Sequence, residues 1–130
     1  MKKRKLGIIG GSGLYNIEGL ENQKWKKLTS SWGDPSDSIL CSTYNREEVF
    51  FLPRHSRGHK INPTKINFRA NIEVFKKLGV TDIISVSAVG SLQEHLLPGS
   101  FVIVDQFIDR TFAREKTFFD GGTIAHVSMA

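Results

Sequence analysis

The chain has 130 residues, 39% hydrophobic and 24% charged, with a formal net charge of +5, which sits in the globular range and suffices for one core. The apolar run after the opening lysines, Leu6 to Ile9, falls short of the about 7 to 15 residues of a signal peptide, and no run approaches the roughly 20 of a membrane span. Cys41 is the only cysteine, which excludes an internal disulfide and fits a reducing compartment, so a soluble, cytoplasmic protein is expected.

The basic opening, Met1 to Lys5, reads either as a nucleic-acid arm or as a solvated tip to the first strand, and the scatter of the remaining Lys and Arg favours the tip. Leu6-Gly7-Ile8-Ile9, closed by Gly10-Gly11-Ser12-Gly13, has the pattern of a buried parallel strand feeding a tight turn. A polar stretch follows, containing Trp32-Gly33-Asp34-Pro35. Ile39 to Thr43 and Val49 to Leu52, joined by Tyr44-Asn45-Arg46-Glu47, predict a hairpin whose second strand ends at Pro53. Asn62-Pro63 is a helix start and Gly79 a stop. Between them Ile66, Ala70, Val74 and Leu78 form one i, i+4 stripe with Phe75 beside it, so this helix is expected to pack on a sheet. Asp82 to Ser87 reads as a central strand, and Pro98-Gly99 as a turn into another, Phe101 to Val104. Strand, helix and strand in this order predict an α/β crossover unit with a mixed, mostly parallel twisted sheet flanked by helices. From Thr111 the pattern is irregular, and the end at Ala130 without a capping helix reads as a chain interrupted inside a fold.

Spacing disposes of three common motifs at the glycine cluster. Asn16 stands where a dinucleotide fingerprint starting at Gly11 needs a small third residue, no Gly-Lys-Ser or Gly-Lys-Thr completes a P-loop, and Leu14 breaks a nucleophile elbow. What remains is a turn whose backbone N–H groups and Ser12 hydroxyl can reach a phosphate, or simply a tight turn. In Arg54-His55-Ser56-Arg57-Gly58-His59, the His-x-x-x-His spacing lacks the Glu of a zinc helix, and Gly58 opposes a helix. The arginine fork with an adjacent imidazole suits an oxyanion, while a solvated basic loop is the plain alternative. Ser87-Ala88-Val89-Gly90-Ser91 ends a strand in small residues, which permit either a ligand or a helix to approach the backbone. His95 reads as a surface or packing residue and Thr117-Phe118-Phe119 as packing. Asp105 and Asp109 resemble a glycosidase pair only in spacing and read better as structural carboxylates.

In this order, Gly7 to Leu14, Pro53-Arg54-His55 with His59, Asn67-Phe68-Arg69-Ala70-Asn71, Ser87 to Leu92 and Asp105 to Thr111 resemble the 5'-methylthioadenosine phosphorylase branch of the trimeric purine nucleoside phosphorylases. The resemblance runs from about Leu6 to Ala130. It implies a phosphorylase/hydrolase-like fold, of which residues 1–130 are the amino-terminal part of a single domain about twice as long. It also implies phosphate ligands at Ser12, Arg54, His55, Ser87 and Ala88, and a histidine reaching a neighbouring subunit's sugar pocket at His126. Three residues depart from the family pattern: Ser56 stands where glycine is usual, Phe68 where tyrosine is usual and Val89 where cysteine is frequent. The first restricts the loop that carries Arg54.

The implied activity is phosphorolysis of S-methyl-5'-thioadenosine to adenine and S-methyl-5-thio-α-D-ribose 1-phosphate in purine and methionine salvage. Its partners would be inorganic phosphate and the nucleoside, in a homotrimer at full length, with no metal, organic cofactor, nucleic acid or membrane. The general acid for the leaving purine is expected beyond Ala130. A 6-oxopurine nucleoside or methylthioinosine phosphorylase is the near alternative, although Ser87-Ala88-Val89-Gly90-Ser91 replaces the Asn-Ala-Ala-Gly-Gly of that branch. A non-catalytic phosphate-binding module is a second alternative. A nicotinamide-binding domain is a third, with Asp34 or Asp37 as its acidic residue.

Overall fold

A computed structural model describes residues 3–15, 17–119 and 121–128, the side chain of Ser12 excepted. It divides into two compact units, residues up to Ser87 and residues from Ala88 onward.

The first unit is a five-stranded sheet in the order β2-β3-β4-β1-β5. Its strands are β1 (Leu6–Gly10), β2 (Glu21–Lys26), β3 (Ile39–Tyr44), β4 (Glu47–Pro53) and β5 (Asp82–Ser85), with helix α1 (Phe68–Lys77) between β4 and β5. The sheet is mixed, as expected: β1 runs parallel to both β4 and β5, while β2-β3 and β3-β4 are antiparallel. The hairpin turns where the sequence predicts, because Asn45 and Arg46 both take positive φ, the conformation that matches a two-residue turn to strand twist. Val49 to Pro53 are buried throughout, the continuous apolar pattern of a strand covered on both faces.

The core joins Ile9, Ile39, Phe50 and Leu52 from the sheet to Val74 and Phe75 from α1. Gly7 makes this packing close: a Cβ there would lie 3.0 Å from a methyl of Val80 and 3.4 Å from the Phe75 ring. On the other face, a Cβ on Gly10 would meet Leu14 at 2.6 Å and Phe51 at 3.0 Å, so the last residue of β1 has no room for a side chain.

Three sequence expectations change. The helix predicted from Asn62-Pro63 to Gly79 is two elements, a 3-10 turn at Pro63–Lys65 and then α1. Ile66 between them is extended, and a second cap, Asn67, starts α1 by accepting from the Ala70 N–H at 3.1 Å. Strand β2 lies in the stretch read only as polar. Its six residues are all exposed, and a solvated edge strand shows no apolar alternation. Strand β5, expected as a central strand over Asp82 to Ser87, is an exposed edge of the sheet among the described residues and stops at Ser85, with a single further ladder bond from Val86 N to the Ile9 carbonyl at 2.8 Å.

The second unit contains no helix or strand among the described residues. The strand expected at Phe101 to Val104 does not form, and Phe101 and Ile103 are 95% and 98% exposed. Apolar, β-branched composition favours a strand only where a neighbour completes the ladder, and none of these residues pairs among the described residues. Local structure persists: Ser100 N bonds the Leu97 carbonyl across Pro98-Gly99, as the turn signal predicts. Asp109 accepts from Thr111 N at 2.9 Å and Thr111 Oγ1 at 2.6 Å and pairs with Lys116 at 3.1 Å. Those bonds, the Thr111 hydroxyl first, hold its carboxyl down to about 2, which accords with a structural role.

Candidate anion site at the strand ends

The parallel strands β1, β4 and β5 end side by side, and the residues that follow them form one cluster. Beyond β1, Leu14 N bonds the Gly11 carbonyl at 3.1 Å and closes the 3-10 turn Ser12–Leu14. Ser12 opens that turn, and its side chain lies outside the described residues. Beyond β4, Arg54 N donates to the Gly10 carbonyl at 2.8 Å, which fixes the arginine beside the glycine turn. Its guanidinium then reaches across the sheet ends. Nη1 donates to Ser87 Oγ at 2.6 Å, just past β5, and approaches the Val86 carbonyl at 3.5 Å. Nη2 lies 3.9 Å from the point a Cβ on Gly11 would occupy.

His55 is held differently from the sequence expectation, in which its ring donates to the anion. Its Nδ1 lies 2.8 Å from the Ile61 carbonyl. A carbonyl only accepts, so Nδ1 carries the proton and, in the neutral ring, Nε2 is the acceptor. Arg54 Nε donates to that Nε2 at 3.3 Å. His55 is 8% exposed, and in this geometry it aims Arg54. Both nitrogens being engaged, the ring offers no lone pair to a metal, and the His55 and His59 rings stack at 4.7 Å and 15°.

The turn carrying these two residues has an unusual backbone. Ser56 N bonds the Pro53 carbonyl at 3.1 Å, and Ser56 itself has a φ of 62°, a left-handed conformation that costs a residue other than glycine about 1–2 kcal/mol. Its neighbours engage it on two sides. Tyr15 Oη donates to the Ser56 carbonyl at 2.9 Å, and Asp37 Oδ2 accepts from Arg57 N at 2.8 Å and Ser56 Oγ at 3.4 Å. The Arg57 side chain completes a fork on the same carboxylate, 3.0 Å on each oxygen, and lies 4.0 Å over the Trp25 ring. Burial pushes the Asp37 carboxyl up, but the bonds from the Arg57 side chain and backbone and from Ser38 N, with the Arg57 charge, outweigh it and hold the group below the usual carboxylate range. Burial first, and the Asp37 charge second, raise the Tyr15 phenol, against a smaller lowering by Arg54, so it stays a donor. The Asp37 carboxylate is occupied by Arg57, which argues against the ribose role of the nicotinamide alternative.

Helix α1 holds the loop before Asp37. Asn67 Nδ2 donates to the Trp32 carbonyl at 2.7 Å. Buried Asn71 accepts from Ser36 N at 2.8 Å and donates to Ser36 Oγ at 2.9 Å. Glu73 takes the hydroxyls of Ser30 and Ser31 at 2.5 and 3.0 Å. Asn67 and Asn71, prominent in the sequence resemblance, are thus structural scaffolding. Tyr15 does not stand out in the sequence, and Asp37 does so only as the acidic residue of the nicotinamide alternative, because nothing local ties Asp37 to an arginine 20 positions away.

Arg54, His55 and Ser87 come together in the first unit. Ala88 and His126 belong to the second, where both are exposed. Among the described residues no cluster of three or more His, Cys, Asp or Glu could hold a metal, and no helix is long and apolar enough to cross a membrane.

An α/β sheet whose parallel strands carry a glycine turn, an arginine and a serine at their carboxyl ends has the arrangement at which proteins of this architecture meet their ligands. The sequence profile of the Phosphorylase superfamily matches residues 5–130, and the chain belongs to that family. It is 62% identical over 125 residues to the S-methyl-5'-thioadenosine phosphorylase of Rhodospirillum rubrum, covering 96% of this chain and 42% of that protein. It is 56% identical over 128 residues to the one of Hyperthermus butylicus, covering 98% and 47%. Among solved structures, a methylthioadenosine phosphorylase from an antarctic soil metagenomic library superposes with a TM-score of 0.89 at 50% identity, over 98% of this chain and 44% of that one. The Schistosoma mansoni enzyme in complex with adenine gives 0.84 at 42% identity, over 92% and 43%. The chain therefore spans about half the length of the relatives it matches.

Proposed function

We propose that the protein carrying this chain catalyses phosphorolysis of S-methyl-5'-thioadenosine, giving adenine and S-methyl-5-thio-α-D-ribose 1-phosphate in purine and methionine salvage, as a cytoplasmic homotrimer. The observation that carries the reading is Arg54, its backbone N–H held by the Gly10 carbonyl and its guanidinium by His55, reaching Ser87 at the ends of the parallel strands. Similarity to named methylthioadenosine phosphorylases supplies the nucleoside.

The chemistry suits these groups. A phosphate oxygen forms a bond to C1' while the bond from C1' to N9 breaks and its electron pair leaves with the purine. Phosphate is already a competent nucleophile, so it needs orientation and charge management more than deprotonation. Arg54 supplies a fixed positive fork, and Ser12, Ser87 and the Ala88 N–H supply neutral hydrogen bonds that orient the anion without quenching the charge that stabilises an oxocarbenium-like C1'. The leaving purine needs a proton at N7, and the resemblance assigns that general acid to sequence beyond Ala130. His126 is proposed for a neighbouring subunit's sugar pocket.

The test is the fate of labelled phosphate. Incubation of the longest natural chain carrying these residues with radiolabelled phosphate and methylthioadenosine is expected to move the label into an acid-labile sugar phosphate, one per adenine released. Adenine appearing with unlabelled S-methyl-5-thioribose would make the reaction hydrolysis. Phosphate bound without turnover would make the protein a phosphate-binding module.

A further inference from the structure

We infer that Asp37 is a positioning residue for phosphate, acting with Tyr15 to hold Ser56 in its left-handed conformation and thereby aim the Arg54 turn. The inference rests on the phosphate reading above and extends it to residues outside the anion cluster.

Arg54 and His55 are the two central residues of the turn closed by Ser56 N on the Pro53 carbonyl. The direction in which the chain leaves that turn depends on Ser56, whose φ of 62° is one that side-chain-bearing residues resist. A serine there needs outside support. The peptide group that follows Ser56 is gripped at both ends: its carbonyl by Tyr15 Oη and His59 N at 2.9 and 3.0 Å, and its N–H, that of Arg57, by Asp37 Oδ2 at 2.8 Å. The Asp37 side chain is only 10% exposed, and its other oxygen is fixed by Ser38 N at 2.7 Å and Arg57 Nη2 at 3.0 Å. Asn71 holds Ser36, the residue before it. The grip thus reaches from the helix, through Ser36 and Asp37, to the anion turn. Ile61 N on the His55 carbonyl at 3.0 Å closes the far side, which keeps the His55 ring on the Ile61 carbonyl and its Nε2 on Arg54.

A left-handed glycine needs no such grip, and that difference makes the inference testable by a double-mutant cycle. Phosphate affinity is measured by equilibrium dialysis with radiolabelled phosphate on the longest natural chain, with KM for phosphate and for nucleoside taken on the same preparations. Asp37→Asn is expected to weaken phosphate binding about tenfold and Tyr15→Phe, which removes one hydroxyl and leaves the ring packing, about threefold, with nucleoside KM nearly constant. In a Ser56→Gly background both losses are expected to shrink to less than about twofold. Losses of the same size in the two backgrounds would overturn the inference while leaving the phosphate site standing. Failure of the parent protein to bind phosphate would overturn both. Should Asp37→Asn fail to fold, Tyr15→Phe decides by itself.

Discussion

Two segments of similar composition behave in opposite ways. Val49 to Leu52 and Phe101 to Val104 are both short, apolar and mostly β-branched or aromatic, yet Leu52 is fully buried and Ile103 is 98% exposed. The first belongs to β4, which has β3 on one side and β1 on the other. The second has no ladder partner among the described residues. Composition makes a strand available, and pairing decides whether it forms. The contrast extends to the two units: residues up to Ser87 hold the sheet, the helix and the Arg54 cluster, while those from Ala88 hold local turns and exposed apolar side chains.

The largest expected effect separates the two segments by stability. Phe51→Ala, at a fully buried residue, is expected to cost about 3–5 kcal/mol in urea unfolding of the 130-residue chain, and Phe101→Ala less than about 0.5 kcal/mol. A similar cost for both would break the comparison. Next, Arg54→Ala in the longest natural chain is expected to lower kcat/KM for phosphate roughly 100-fold, the scale of losing a fixed charge-stabilising donor, and to change nucleoside binding much less. Equal losses of both would make Arg54 a support of the fold. A smaller effect follows Asn71→Ala, which leaves Ser36 N without its partner at a buried position and is expected to cost about 1–3 kcal/mol, read as a lower urea midpoint with an unchanged slope.

The smallest effect is one of pH. Glu73 is drawn down from 4.5 to about 2, first by the Ser30 hydroxyl and then by Ser31 and Lys77, against a contrary push from burial. A carboxyl lowered in the folded state stabilises it above the unfolded value and loses that contribution as pH falls. Part of the acid sensitivity of the first unit is therefore expected between pH 4.5 and about 2, and Glu73→Gln is expected to flatten it. An unchanged stability profile in that variant would mean the serine contacts contribute nothing.

What was legible in the sequence follows the same division. Strands β1, β3 and β4 were readable because their burial leaves apolar runs bounded by glycine, proline or a turn pair, and β5 because Ile83-Ile84 follow the helix stop at Gly79, although its residues are exposed. The Arg54, His55 and Ser87 cluster was readable because each follows directly on such a strand. Strand β2 was not, because a solvated edge carries no alternation, and neither was the helix break at Ile66, where a second asparagine cap outcompetes the stripe. The role of His55 depends on which acceptor Nδ1 meets, and that of Asp37 on a contact across the fold, which no local pattern records. The Ser56 departure was visible as a restriction, and the structure gives it a cause in the positive φ.

The central claim is that the strand-end cluster serves phosphate attack on a methylthio nucleoside, and adenine release by the longest natural chain tests it most directly. Methylthioadenosine is supplied with and without inorganic phosphate, with inosine alongside. Release of adenine that requires phosphate and outpaces release of hypoxanthine from inosine is the predicted result. Phosphate-independent release, or release from inosine only, would contradict it.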